Sequence, residues 1–157
     1  MASDPRRVRV HEAGHVVVAL AQHIPVVSVS VQPVGNFMGL TRFDMPYGLN
    51  RLRRSTVLRR MIRVLYAGAA AERQVFGNHE QGCDADDLQR VAQLVSRLAA
   101  TGADASLDHL HRLLDQTDEM LRQRPRQLRR LDRALEQTPV LDGATILRVI
   151  RRRNWPT

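Results

Sequence analysis

The 157-residue chain contains no lysine: all 24 basic side chains are arginine, against 16 acidic ones, for a formal charge of +8. A phosphate-binding loop of the G-x-x-x-x-G-K-[ST] kind is thereby excluded, and with it a nucleotide-hydrolysing motor of that type. Total replacement of lysine reads as compositional drift rather than as a nucleic-acid surface, because the arginines are spread over several helical segments and are not packed beside aromatic residues. Aromatic residues are scarce, at 4% of the chain. The single cysteine, Cys83, cannot form an internal disulfide, so nothing points to an oxidising compartment. Long apolar runs are also lacking. The longest, Val16 to Ala21, has six residues, against roughly 20 for a bilayer span, and no charged-then-apolar leader precedes it. The expectation is a soluble, cytoplasmic chain with no membrane segment, whose 157 residues suffice for one domain with its own core.

What is present is mostly helical periodicity. Asp4-Pro5 forms a helix start, with Asp4 or Ser3 as N-cap and Pro5 at the first helical position, and the helix runs to about Gln22 before Pro25. From Val26 the period changes to two, with Val27, Val29 and Val31 alternating with Ser28, Ser30 and Gln32. A glycine-bearing turn then leads to a second short strand, "LTRF". A helix follows over about Leu49 to Phe76, its apolar face carrying Leu52, Leu58, Met61, Ile62 and Leu65, with Gly68 marking close packing and Gly77 the stop. Another begins at "DADDL" with acidic residues at its positive end and the stripe Leu88, Val91, Leu94, Val95, Leu98 to bury it. Three further amphipathic helices are punctuated by Pro125, Pro139 and Gly143. The fold class is mainly α (α+β), with a small sheet or hairpin near the N-terminus. The chain is expected to be one domain, with residues 1–98 and 107–153 as its two parts and 99–106 as a short linker.

The chemistry concentrates in "VHEAGH". Residues four apart on a helix point in nearly the same direction, so His11 and His15 can each offer a ring nitrogen to one zinc ion. Glu12 lies beside them and can take a proton from a water activated by the metal and pass it to a leaving amine, as in zinc peptidases with H-E-x-x-H on a helix. Two histidines leave the site incomplete, because a catalytic zinc needs a third protein ligand. Glu72, His79, Glu80, Cys83, Asp84, Asp86 and Asp87 are the candidates, and an aspartate in the first turn of a helix suits the role because the helix fixes its direction.

Four segments in order resemble the peptidase domain of the FtsH-type membrane AAA proteases: "HEAGH", "VSVQPVGNFMGLTRF" with its paired Gly35 and Gly39, "LYAGAAAERQVFG", and "GCDADDLQRVAQLV". The resemblance spans about Val8 to Leu98 and continues more weakly to about Ile150. It implies Asp87 as the third zinc ligand, with Asp86 the alternative because the preceding loop is one residue shorter than usual. It further implies that Glu72 orients a ligand histidine, an ion pair within the helix being the other reading of that residue. The segment around Gly35 and Gly39 is either an edge that a bound peptide extends as an extra strand or an ordinary turn needing positive φ at the glycines.

The implied function is a zinc metalloendopeptidase acting on short or unfolded polypeptides. No ATPase module or membrane segment accompanies it, and the insertion before the last helices is trimmed, so the chain resembles a stand-alone peptidase domain working without nucleotide. Such a domain calls for peptide substrates or a separate unfolding partner. The family assembles as rings, which makes a homo-oligomer a further expectation. A non-catalytic module that keeps the fold is the alternative, and an arginine-rich nucleic-acid binder a third.

Overall fold

The computed structural model describes residues 4–45, 54–79 and 85–151. Among them are six helices and three strands in the order α1 (Pro5–Ala21), β1 (Val26–Ser30), β2 (Leu40–Phe43), α2 (Ser55–Phe76), α3 (Ala85–Ala100), α4 (Leu107–Arg122), α5 (Pro125–Gln137), β3 (Val140–Asp142) and α6 (Gly143–Arg151). The protein is mainly α, as its periodicities imply. Leu49 and Leu52, read as the start of α2, lie outside the described residues.

Helix α1 is the centre of the molecule. The Asp4 side chain accepts from the Arg6 backbone N–H at 2.9 Å and Pro5 fills the first turn. This satisfies one of the donors that a helix start leaves open. From Val10 to Ala19 every side chain is buried, the pattern of a helix enclosed on all sides rather than lying on a surface. It packs against α2, α5, α4 and the sheet. Burying ten residues in a row puts His11, Glu12 and His15 in the core as well. Polar groups taken out of water must find partners there, since each left unpaired costs on the order of 1–3 kcal/mol. They do: among the described residues, no buried side-chain nitrogen or oxygen is left without a hydrogen bond.

The close approach of α1 and α2 depends on small residues. A Cβ placed on Gly68 of α2 would lie 2.4 Å from Nε2 of His11, so the imidazole occupies the space that any other residue would need. Arg7 of α1 spans the same interface, donating to Glu72 at 3.4 Å and to the Asn78 side chain at 2.7 Å. On the opposite flank Arg9 reaches Asp132 at 2.8 Å and Glu136 at 3.2 Å, tying α1 to α5.

The sheet has the order β2-β1-β3, both pairs antiparallel. The third strand is not legible in the sequence, because Val140–Asp142 is three residues long between Pro139 and a helix start, too short to establish a period. The alternation expected along β1 also breaks at one point. A bulge between Val26 and Ser28 turns Val26 and Val29 inward and leaves Val27 at 47% exposure, since one extra residue moves the following side chains to the other face.

Helix α3 departs from its stripe in a similar way. Leu94 and Leu98 are buried, but Leu88, in the first turn beside the mouth of the site, is 51% exposed. A helix covered on one side, here by α2, buries only the part of its apolar face that its neighbour reaches.

Replacing Gly68 with alanine should therefore destabilise the protein by about 1–3 kcal/mol, the usual cost of overpacking a filled core. Urea unfolding of the two proteins measures the difference, and an unchanged midpoint would show that the α1–α2 seam has slack.

Candidate metal centre

The elements just described bring His11, His15 and Asp87 together. Their candidate ligand atoms lie within 4.8 Å of one another, the two imidazoles coming from successive turns of α1 and the carboxylate from the first turn of α3. The rings meet edge to face, with centroids 4.8 Å apart and planes at 78°. Oδ2 of Asp87 stands 3.1 Å from Nε2 of His11 and 3.1 Å from Nε2 of His15. Asp86 lines the same cleft but is not one of the three. Its side chain leaves α3 one residue, about 100°, away from that of Asp87. Of the other candidates, His79 stands past the end of α2 and outside the group of three, and Glu80, Cys83 and Asp84 lie outside the described residues.

Both rings are oriented from behind. Nδ1 of His15 is 2.7 Å from the backbone carbonyl of Val64, and Nδ1 of His11 is 2.7 Å from Oε1 of Glu72. Carbonyl and carboxylate oxygens only accept, so each Nδ1 carries the proton and each Nε2 is the atom turned to the centre. Glu72, at 1% exposure, receives His11, and it also pairs with a cation at 3.4 Å, but this is Arg7 across the α1–α2 seam rather than the partner within its own helix that the other reading called for.

Two Nε2 atoms and a carboxylate oxygen converge on one point, and neither Nε2 can face Oδ2 of Asp87 favourably unless a proton or a cation lies between them. Zinc accepts this N,N,O set and keeps a further position open. The residues fit the ion.

Protonation in the metal-free protein follows from the same crowding. Burial opposes charge on His11, but the hydrogen bonds to Asp87 and Glu72 and the nearby Glu12 outweigh it and raise the ring's pKa from 6.5 to about 10. Burial likewise opposes charge on His15, and the carboxylate of Asp87 overcomes it, so that pKa is raised too. Burial favours neutral Asp87, yet His15 and His11 hold its carboxyl well below the usual range. Protons therefore occupy the place a metal would take.

Glu12 is 6% exposed and is met from the sheet. Thr41 Oγ1 donates to its Oε2 at 2.6 Å. Gly39, one residue before β2, makes room for the carboxylate, because a Cβ there would lie 2.6 Å from Oε1. Of the paired glycines, Gly35 has φ +60, as the turn reading requires, whereas Gly39 lacks a positive φ and serves a close approach to Glu12 that neither reading named. Nothing in the sequence marks Thr41 as a site residue, since it reads as one more strand position in "LTRF". A cleft of about 220 Å³ opens over this group, lined by Glu12, Met38, Thr41 and Asp87 among others.

The family model for peptidase family M41 matches residues 2–122. The chain belongs to peptidase family M41. Curated relatives are called ATP-dependent zinc metalloprotease FtsH: that of Acidothermus cellulolyticus is 34% identical over 100 residues, which is 62% of this chain and 15% of the relative. That of Trieres chinensis is 35% identical over 98 residues, 60% of this chain and 15% of the relative. FtsH 3 of Sorangium cellulosum is 37% identical over 93 residues, 58% of this chain and again 15% of the relative. The chain thus spans about 15% of the length of these M41 relatives, in a family of zinc metalloproteases. No helix among the described residues is long and apolar enough to cross a membrane.

The raised histidines give the metal-free protein a definite pH dependence. A group whose pKa rises from 6.5 to about 10 on folding contributes stability that is fully present below about 6.5 and lost as pH climbs through 10. In chelator, the melting temperature should fall between pH 6.5 and 10. With zinc the slope should be shallower or reversed over that range, since metal and protons compete for the same nitrogens. A flat profile in chelator would contradict the assigned ring environments.

Proposed function

We propose that the protein is a zinc-dependent endopeptidase in which His11, His15 and Asp87 hold the metal and Glu12 is the general base and then the general acid. One observation carries the reading: two oriented imidazoles and a carboxylate converge within 4.8 Å, with a second, threonine-held carboxylate beside them. A zinc ion held there supplies a Lewis acid that makes water a nucleophile at neutral pH. The remaining work falls to the chain. Thr41 engages Oε2 of Glu12, leaving Oε1 to accept a proton from the attacking water and return it to the departing amine. Val64 and Glu72 keep the two rings from turning away.

Substrate geometry follows from the sheet. Strand β2 is an outer strand, and the residues leading into it line the cleft. A peptide lying along β2 as an added strand would bring a backbone amide over Glu12 without demanding a particular side chain. Short or unfolded polypeptides can adopt that extended form; a folded substrate would first need a partner to open it. The reaction itself draws on no nucleotide, because every group it uses lies in these residues and the chain holds no lysine for a phosphate-binding loop.

Glu12→Gln should keep zinc at one equivalent and lower peptide cleavage by a factor of about 100 or more, the usual share of a positioned acid–base group. Cleavage by Glu12→Gln at the wild-type rate would falsify the mechanism, and bound zinc without turnover of any peptide library would support a non-catalytic module instead. For Thr41, valine should lower kcat by about tenfold with KM and zinc content little changed, while serine, which keeps the hydroxyl, should restore most of the rate. Equal loss in both variants would mean that the methyl group matters rather than the hydrogen bond.

A further inference from the structure

The arginine excess is not evenly distributed. Residues 123–157 hold nine arginines and three acidic residues, and so carry +6 of the chain's +8. This segment begins where the match to the M41 family model stops, at residue 122. The fold draws its described residues, 123–151, together. The turn between α4 and α5, the first turns of α5 and the end of α6 enclose a cleft of about 500 Å³ lined by Arg124, Arg126, Arg130 and Arg151, with Gln123 and Gln127 between them. None of its described lining residues is acidic or aromatic, and among them it shares none with the cleft over His11.

The acids that could neutralise this face are used elsewhere. Asp132 and Glu136, on α5 itself, are turned to Arg6 and Arg9 of α1. Arg124 and Arg130 each spend one N–H on a helix-terminal carbonyl, of Met120 and Ile150 respectively, at 3.0 Å. Among the described residues, none of the four cleft arginines forms an ion pair within 4.0 Å of a carboxylate. Exposed Arg129 and Arg133 continue the charge along α5, while exposed Arg148 on α6 is answered in part by Asp142 at the start of that helix. Like charges gathered this closely repel one another unless an anion lies among them, and guanidinium forks match phosphate oxygens in pairs.

We infer that this cleft and the flanking arginines of α5 and α6 form a docking face for the phosphate backbone of duplex nucleic acid. The extent of the charge favours a polyanion over a small one, since the arginines reach well beyond one cleft. The described lining offers arginine and glutamine side chains but no aromatic platform, which favours a paired backbone over single strands, whose binding rests on stacked bases. An anionic bilayer is disfavoured because α6 turns its large apolar side chains inward: Ile146 is buried, Val149 and Ile150 are half-buried, and of the large ones only Leu147 is exposed. Contacts confined to phosphates predict binding without sequence preference.

The test is fluorescence anisotropy of the full chain with a labelled 20-bp duplex across salt concentrations. If the cleft engages about four phosphates, the log–log salt slope should be about −3.6, a loss of about 150-fold in affinity between 50 and 200 mM salt. Arg126→Gln/Arg151→Gln removes two exposed cleft arginines and should make the slope shallower by about 2, weakening binding at least tenfold at low salt. Arg54→Gln/Arg112→Gln, with the same charge change at positions lining neither cleft, should leave the slope as in wild type, and melting curves check that all proteins are folded. Salt-insensitive binding, equal losses in the two double variants, or binding to phosphatidylglycerol vesicles but not to duplex would each overturn the assignment. Glu12→Gln should bind duplex like wild type, so this result and that of the peptidase test are read independently.

Discussion

The seating of His11 on Gly68 is the contact on which the rest of the structure depends. The ring fills the space of a missing side chain on α2 and is held from behind by Glu72 of that same helix, four residues further on. Because α1 is buried along ten consecutive residues, it cannot shift to relieve a misfit there without disturbing α2, α5 and the sheet together. A packed core offers discrete arrangements rather than a continuum. The helix–helix seam and the geometry of the candidate ligands are therefore one constraint, and core packing supplies the rigidity that a metal site would need.

Three elements converge on α1 at this point, each with a different task. Helix α2 orients the imidazoles through Val64 and Glu72, helix α3 contributes the carboxylate of Asp87, and strand β2 contributes Thr41 to Glu12. The charges are arranged so that no buried group stands alone: the cation Arg7 answers Glu72, and Asp87 faces two rings. The carboxylates crowd the centre in a way that disfavours an empty, uncharged site, which is why protons occupy it when no metal does. The basic face on α5 and α6 follows the opposite logic. There the cations outnumber the available acids, and the imbalance is directed outward.

Much of this was legible in advance for reasons that are local. His11, Glu12 and His15 lie within one turn and a half of helix, so their mutual geometry is settled by the helical repeat alone. Helix ends at Asp4-Pro5 and Gly77 are marked by residues whose backbone preferences act within a few positions. What could not be read depended on distant segments. Val140–Asp142 becomes a strand only because β1 offers it an edge; the bulge at Val27 depends on the register with β2; Leu88 stays exposed because α2 does not reach it. Thr41 is ordinary in a strand and acquires a role only when that strand lies across Glu12.

The chain's own order of residues thus determined its helical class, the two histidines and the glutamate between them, because helix propensity, capping and periodicity act over a few residues. The meeting of Asp87, rather than its neighbour Asp86, with rings some seventy positions earlier in the chain was decided by tertiary packing. So were the double partnership of Glu72, the hold of Thr41 on Glu12, and the gathering of dispersed arginines into one cleft. Each is a contact between segments far apart in the chain, and its geometry is set by how helices and strands pack, which local pattern does not encode.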